Sequence, residues 1–342
     1  MASGVFRYRY ARRLGYSLRE GIMSWLYTLI FAGLLFSSQG TSFRGVWPSV
    51  TATPPPVVNT GRDETERFDQ TYPLNADGKV SVSNVNGSII VEAWDRNEIK
   101  LEYIKIADGP DALAAINVKI DARPDAFKTE VDLDNWKTQK GVGRINGKMQ
   151  VNYHLMVPRG AVLNSIETVN GTINVSNFVN STKVSAVNGT VNATNLQGTA
   201  NLSTVNGSVN ADFDRLDSTS QIQLSTVNGN VKLLIPSDAS ATINADSING
   251  KITNDWGLPV KRGKYVGNDL FGKIGGGDAR IKLDSVNGSL TLSHRDDGRN
   301  LSPATNLLPQ KETDDNDLES VEKERVTAEK IDKEFADRKS VV

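Results

Sequence analysis

The chain has 342 residues, and its 39 Lys and Arg residues nearly balance its 40 Asp and Glu residues, which gives a formal net charge of −1 at pH 7. Because this composition produces no overall positive field, it gives no support to a nucleic-acid-binding protein, and we expect no nucleic-acid partner. Cysteine is absent, which excludes disulfides, iron–sulfur clusters, thiolate zinc sites and a lipid-modified cysteine.

Residues 1–40 have the pattern of a targeting segment. Arginines between Arg7 and Arg19 precede an apolar run at 22–36, and small polar residues follow at 37–40. Basic, then apolar, then small is the order of a signal peptide, and the run is short for a spanning helix. We therefore predict an exported protein, in the periplasm, at the cell surface or secreted. The alternative is an uncleaved anchor in the inner membrane, with membrane contact only through residues 22–36.

Residues 41–65 contain Pro54, Pro55 and Pro56 among scattered polar residues, which predicts an extended linker. From 66 onward the chain alternates between apolar and polar residues, and we predict one domain over 66–293. Its first part contains longer and less repetitive strands, with a helical turn at 112–115, and we interpret it as an N-terminal β cap. The predicted strands are 79–83, 88–93, 98–106, 116–121, 127–133 and 149–157.

A short phrase, Val or Ile followed by Asn-Gly, recurs eight times, and three of its asparagines are spaced eighteen residues apart. Such a period is typical of stacked repeat units. The parity of the apolar positions changes across each Asn-Gly, so we predict a strand, an Asn-Gly corner, a second strand and a looser corner in each unit. The predicted corner residues are Asn170, Gly171, Asn188, Gly189, Asn206, Gly207, Asn228, Gly229, Asn249, Gly250, Asn287 and Gly288.

Two architectures fit this unit: an antiparallel hairpin array and a single-stranded β-solenoid of stacked short coils. A two-residue hairpin turn would pair the apolar residue before Asn-Gly with the polar residue after it in every copy, which a hairpin has no reason to repeat. We therefore favour an all-β solenoid, with the hairpin array as the alternative. In the solenoid we expect the Val to fill the corner of the core, the Gly to relieve the bend and the Asn side chains to form a ladder.

The period is interrupted at 254–280 before the phrase returns. Insertions in solenoids form loops on one face, often a binding face, which makes Trp256, Tyr265 and Phe271 candidates for an interaction surface. The alternative is that these aromatic side chains fold back into a C-terminal cap. Residues 294–342 are rich in charged residues, and we predict a disordered or helical tail.

The order of several motifs resembles a known family. Val80 to Ile89 contains the first phrase, Val157-Pro158-Arg159-Gly160 follows, the serial phrases come next, and Gly272 to Gly277 leads to the last phrase at Ser285 to Ser289. Over roughly 66–293 this order is similar to the bacterial "putative adhesin" family of β-solenoid domains. The resemblance implies an exported or envelope-associated bacterial protein and supplies no catalytic residues.

We looked for catalytic and metal-binding residues and predict none, and we expect no cofactor. The chain has only two histidines, His154 and His294, far apart in sequence, and Asp212, Asp214 and Asp217 are best explained by a solvated turn. The leading hypothesis is a non-enzymatic, adhesin-like solenoid that presents a binding surface to envelope polysaccharide or a surface protein. The alternatives are a membrane-tethered structural or stress-related envelope protein and a polysaccharide-active enzyme on a β-helix.

Overall fold

The computed structural model describes residues 63–132, 148–263 and 266–308. They form two long β-sheets, one of 10 strands (sheet A) and one of 12 strands (sheet B), together with one short helix. The strands of sheet A are β1 (Asp63–Pro73), β3 (Ile89–Trp94), β4 (Glu98–Asp108), β7 (Met149–Pro158), β9 (Ile173–Ser176), β11 (Val191–Leu196), β13 (Val209–Phe213), β15 (Val231–Ile235), β17 (Ile252–Asn254) and β21 (Leu290–His294). The strands of sheet B are β2 (Lys79–Asn86), β5 (Asn117–Arg123), β6 (Ala126–Asp132), β8 (Val162–Asn170), β10 (Thr182–Asn188), β12 (Ala200–Asn206), β14 (Gln221–Asn228), β16 (Ala241–Asn249), β18 (Lys261–Arg262), β19 (Asn268–Ile274), β20 (Ala279–Asn287) and β22 (Ala304–Asn306). The helix, α1, spans Pro110–Ala115.

The repeats form a β-solenoid in which each coil contributes one strand to each sheet. The chain runs along β10 in sheet B, turns at Asn-Gly, runs along β11 in sheet A and returns to sheet B as β12. Like positions pair in parallel register, so that Val184 lies beside Leu202 and Asn188 beside Asn206. The predicted solenoid is confirmed, and the antiparallel hairpin array is wrong for the repeats, because the two strands that flank each corner belong to different sheets.

The core lies between the two sheets and is filled by alternate residues of every strand. In β12 and β13, for example, Leu202 and Val209 are fully buried, while the residues immediately before and after each of them face outward. Burying an aliphatic side chain of this size stabilises the folded state by about 1.5–3 kcal/mol. The two-residue period in the sequence therefore encodes this core directly.

The N-terminal end is closed by antiparallel strands. In sheet A, β4 pairs antiparallel with both β1 and β7, and in sheet B, β5 pairs antiparallel with β6. Tyr103 of β4 stacks on Phe68 of β1, with ring centroids 4.7 Å apart. The outermost strand of sheet A, β1, exposes most of its residues and carries charged side chains, which discourage pairing with another chain.

The C-terminal end departs from simple sequential stacking. The coil formed by β20 and β21 lies between the β14–β15 coil and the β16–β17 coil, although it follows both in sequence. The next strand in sheet B beyond β16 is β19, which pairs with it in antiparallel orientation. The order of the coils along the solenoid axis therefore differs from their order in sequence at this end.

The folded body continues beyond residue 293, the predicted boundary of the domain. Strand β22 pairs with β19, and the Ser302 amide donates to the Ser237 carbonyl at 3.0 Å. Residues 294–308 thus pack on the solenoid because β19 offers them a free edge. The rest of the predicted tail lies outside the described residues, as do the predicted targeting segment and almost all of the predicted linker. Within the described part of the chain, no helix combines the length and apolar character needed to cross a membrane.

Candidate functional site

One edge of the solenoid is a ladder of asparagine side chains at the Asn-Gly corners. The Nδ2 of one asparagine donates to the Oδ1 of the next, as in Asn188 to Asn170 and Asn206 to Asn188, both at 2.8 Å. Bonds of 2.8 to 3.0 Å continue in both directions. At the end of the ladder, the Asn86 Nδ2 donates to the Met149 carbonyl at 3.1 Å. In spatial order the ladder comprises Asn86, Asn170, Asn188, Asn206, Asn228, Asn287 and Asn249. Apart from the half-buried Asn86 these side chains are exposed, so the ladder is a surface feature.

The glycines beside this ladder stack backbone on backbone. A Cβ added to Gly189 would lie 1.8 Å from the Gly171 carbonyl oxygen, and one added to Gly229 would lie 1.9 Å from the Gly207 oxygen. No real Cβ tolerates such a contact. Glycine is required at these corners because successive coils approach too closely for any side chain.

The apolar residue before each asparagine does not fill the corner of the core, so that prediction is wrong. Val169 is 40% exposed and Ile248 is 50% exposed, and the equivalent valines in the other coils are half-buried. The inward positions of the strand are the even ones in β10, from Thr182 to Ala186. Val187 therefore faces outward by parity.

The corner is filled instead by a buried column of hydroxyl side chains that the sequence analysis missed. Thr204 Oγ1 donates to the Gly189 carbonyl at 2.8 Å, and Thr226 Oγ1 donates to the Gly207 carbonyl at 2.9 Å. Thr168, Ser247 and Ser285 make the same kind of bond. Each hydroxyl satisfies a carbonyl at the bend, which a valine could not do. The signal was present, since Thr or Ser stands two residues before Asn in most copies.

The outer face of sheet B carries a continuous row of side chains along the solenoid axis, which we call the sheet B row. Cross-strand register places its members side by side on six neighbouring strands. With strands about 4.8 Å apart, the row is about 24 Å long. In spatial order the sheet B row comprises Lys183, Asn201, Gln223, Lys282, Asn244 and Phe271.

Part of this row lies in an open depression of about 360 Å³. Gln223, Asn244 and Lys282 line it together with Gln221, Thr242 and Arg280 of the adjacent row, and the buried Ile222 and Ile281 form its floor. The volume falls in the range of small-molecule sites. The depression exists because β20 is inserted between β14 and β16.

The amide groups of the sheet B row are available to a ligand. Within the described residues, the side chains of Asn201, Gln223 and Asn244 have no hydrogen-bond partner in the protein. The opposite face of the solenoid differs, because on sheet A Asn192 donates to Asn174 and Asn210 donates to Asn192, both at 2.9 Å. The outer asparagines of sheet A therefore bind one another, whereas the amides of the sheet B row are free.

Charges on sheet B are segregated into rows. Arg280 and Lys273 flank Thr242 in the row on one side of the sheet B row. Asp284, Asp246 and Asp269 lie side by side in the row on the other side, which we call the acidic row. Partial burial raises the pKa of Asp246, and the neighbouring Asp284 and Asp269 carboxylates raise that pKa further.

The three predicted aromatic residues lie in different environments. Trp256 is only 8% exposed, and its ring packs edge-on against His294 with centroids 6.2 Å apart, so it forms part of the C-terminal cap. Phe271 is 38% exposed and ends the sheet B row beside Asn244. Tyr265 lies outside the described residues.

The groups considered for catalysis are engaged in structural contacts. His154 lies between Glu102 at 3.4 Å and Glu92 at 3.5 Å, and five strands of sheet A separate its strand from that of His294. The His294 Nδ1 and the buried Ser237 hydroxyl both contact the Arg295 carbonyl at 2.8 Å. Arg295 also pairs with Asp212 at 3.1 Å. Among the residues that the structure describes, no cluster of His, Asp and Glu could hold a metal ion.

The sequence analysis did not identify the sheet B row, apart from Phe271. Its polar residues occupy outward positions of predicted strands, which was a readable signal. That these residues lie side by side could not be predicted from the sequence, because Gln223 and Lys282 are 59 positions apart and become neighbours only through the inserted coil.

A family profile and several solved structures are similar to this chain. The family profile described as Toastrack DUF4097 matches residues 69–293, nearly the range of the predicted resemblance. A solved protein from Clostridium sporogenes, described as a "putative cell adhesion protein", is 12% identical over 67% of this chain and 100% of its own, with a TM-score of 0.38. A "putative adhesin" from Bacteroides fragilis is 13% identical over 67% of this chain and 97% of its own, with a TM-score of 0.33. No curated protein matches the chain.

Proposed function

We propose that this chain, which belongs to the Toastrack DUF4097 family, binds an extended polysaccharide of the cell envelope along the sheet B row and has no catalytic role. The observation that carries this proposal is the contrast between the two faces. The asparagines on sheet A are hydrogen-bonded to one another, whereas Asn201, Gln223 and Asn244 on sheet B keep their donors and acceptors free. Free amides at a regular spacing suit the repeated hydroxyl groups of a linear glycan.

The shape of the site supports the same ligand class. The sheet B row crosses six strands over about 24 Å, so it suits an extended polymer more than a compact ligand. Phe271 offers an exposed ring at one end of the row, and an aromatic ring provides an apolar platform for the C–H face of a sugar. The rigid sheet holds these groups in place before binding, which lowers the entropic cost of association.

The test is to measure binding of the purified protein to oligosaccharides prepared from envelope polysaccharides, by calorimetry. We expect the double variant Asn201→Ala and Gln223→Ala to weaken binding about tenfold, because each lost hydrogen bond contributes about 0.5–1.5 kcal/mol. Phe271→Ala should also weaken binding.

The matched controls leave the sheet B row intact. Lys232→Ala removes an exposed side chain from the outer face of sheet A, and Val266→Ala removes an apolar side chain that is 70% exposed. Both should bind as the unaltered protein does. The proposal fails if no envelope oligosaccharide binds, or if the sheet A variant loses as much affinity as the sheet B variant.

We also propose that the protein is exported and that the solenoid faces the envelope. The support is the order of basic, apolar and small residues within 1–40. Sequencing the amino terminus of the mature protein tests this, and we expect it to begin near Thr41. A mature protein that retains residues 22–36 would instead favour the anchored alternative.

A further inference from the structure

We infer that the polysaccharide bound by the sheet B row is acidic, with carboxylate groups on its sugars. This inference rests on the proposed function and narrows it to one chemical class. It starts from the charges beside the free amides. Lys183 and Lys282 belong to the row itself, and Arg280 and Lys273 belong to the adjacent row.

These cations are concentrated on one part of the surface. The whole chain carries a net charge of −1, so this grouping of cations comes from how the coils stack. Within the described residues, no carboxylate forms an ion pair with Lys183, Arg280 or Lys273, whereas Lys282 lies 3.2 Å from Asp284. Three of the four cations are therefore free to pair with a ligand.

Arg280 is the residue best suited to a carboxylate. Arg280 lines the depression together with Gln221 and Thr242, and its guanidinium can donate two parallel hydrogen bonds to one carboxylate. The neutral amides next to it suit the hydroxyl groups of the same sugar. Arg280 thus supplies charge recognition where the amides supply hydroxyl recognition.

The acidic row sets the position of such a ligand. Asp284, Asp246 and Asp269 lie on the side toward the Asn-Gly corners and would repel a polyanion that moved in that direction. The cations on the opposite side attract it. An acidic chain is therefore held along the sheet B row and away from the corner edge, because like charges oppose the alternative placement.

The experiment compares two ligands that differ at the carboxyl group, which is charged in one and a neutral methyl ester in the other. Oligogalacturonates are titrated into the full-length protein, and the same oligomers are titrated as their methyl esters. We expect the acid form to bind at least tenfold more tightly and to lose affinity as salt increases, since salt screens exposed ion pairs. Arg280→Gln should weaken binding of the acid form about fivefold or more and leave binding of the ester nearly unchanged.

The variants distinguish the charge effect from misfolding. Lys183 lies three strands from Arg280, and Lys183→Ala should also selectively weaken binding of the acid form. Lys232→Ala on sheet A should not weaken it. Equal binding of acid and ester would overturn the acidic-ligand inference but leave the proposed function standing. If neither the acid form nor the ester binds, the result counts against both the acidic-ligand inference and the proposed function. An equal affinity for inorganic polyphosphate would show a general polyanion site and would also overturn the inference.

Discussion

Replacing Gly189 by alanine tests whether the close approach of the coils holds the solenoid together. The added Cβ would lie 1.8 Å from the Gly171 carbonyl oxygen, and contacts below 3.0 Å are not tolerated. The two coils must therefore separate locally by about 1 Å. That movement strains two hydrogen bonds between the coils. In one the Gly171 N–H donates to the Asn188 carbonyl at 3.1 Å, and in the other the Ile173 N–H donates to the Thr190 carbonyl at 3.0 Å.

The expected loss of stability follows from these contacts. Weakening two backbone hydrogen bonds costs about 1 kcal/mol each, and the steric strain adds about 1–3 kcal/mol. The total of about 3–5 kcal/mol is a large share of the stability of an ordinary domain. Urea unfolding followed by circular dichroism measures it as a lowered midpoint.

Gly257→Ala is the matched control for this prediction. Gly257 has φ +67° and no atom within 4 Å of an added Cβ, so its alanine variant suffers backbone strain of about 1–2 kcal/mol without any clash. Both variants reduce the entropy of the unfolded chain equally, which cancels in the comparison. If Gly189→Ala lowers the midpoint no more than Gly257→Ala does, the stacking of the glycine corners is not a major source of stability.

Three further predictions concern the edge formed by the Asn-Gly corners and the outer face of sheet B. In urea unfolding, Ala186→Thr should raise stability by about 0.5–1.5 kcal/mol, because its hydroxyl would reach the Gly171 carbonyl as Thr204 reaches Gly189. Ala193→Thr, which buries a hydroxyl between the sheets, should lower stability in the same assay. Asn188→Ala removes two ladder bonds and should cost about 1–2 kcal/mol in urea unfolding, whereas Asn201→Ala, whose amide has no partner among the described residues, should stay within about 0.5 kcal/mol of the unaltered protein. The pKa of Asp246 is raised above 3.8 in the folded state, so the folded protein binds this proton more tightly than the unfolded chain, and the contribution of Asp246 to stability should rise as pH falls from neutral through that raised pKa. Asp246→Asn should therefore stabilise the protein at pH 7 by about 0.2–1 kcal/mol and flatten that rise in a pH series of unfolding midpoints; an unchanged pH profile would contradict the assigned repulsion.

Much of the fold could be predicted from local patterns. The two-residue alternation predicted β2, β3, β4, β6 and β7 to within a few residues. The helical turn predicted at 112–115 lies within α1 (Pro110–Ala115). The parity change across Asn-Gly predicted the corner, and the repeated pairing of an apolar with a polar residue across it argued against a hairpin array. These features are encoded within a few neighbouring residues, so a single sequence is sufficient to find them.

The orientation of the corner valine could not be inferred as readily. An apolar residue beside a bend is compatible with burial, and only the backbone geometry shows that the preceding hydroxyl residue occupies the corner. The hydroxyl is favoured because the Gly carbonyl at each bend needs a donor, as Thr204 provides for Gly189. The requirement for a hydrogen bond therefore outweighs the greater hydrophobicity of Val205 at this point of the chain.

The order of the coils could not be predicted, for a physical reason that also explains the candidate site. Each coil presents the same columns of side chains, so β20 matches β14 in register as well as β16 would, and the repeats alone leave the stacking order undetermined. Contacts outside the repeats distinguish the alternatives: Asn268 Nδ2 donates to the Gly250 carbonyl at 2.6 Å, and Gly272 packs directly under Leu258. These contacts hold β19 on β16 and leave β20 to pair between β14 and β16. That placement brings Arg280 beside Gln221 and Lys282 beside Gln223. The interruption of the repeat at 254–280 therefore creates the candidate site, to which it contributes Phe271 but not the buried Trp256.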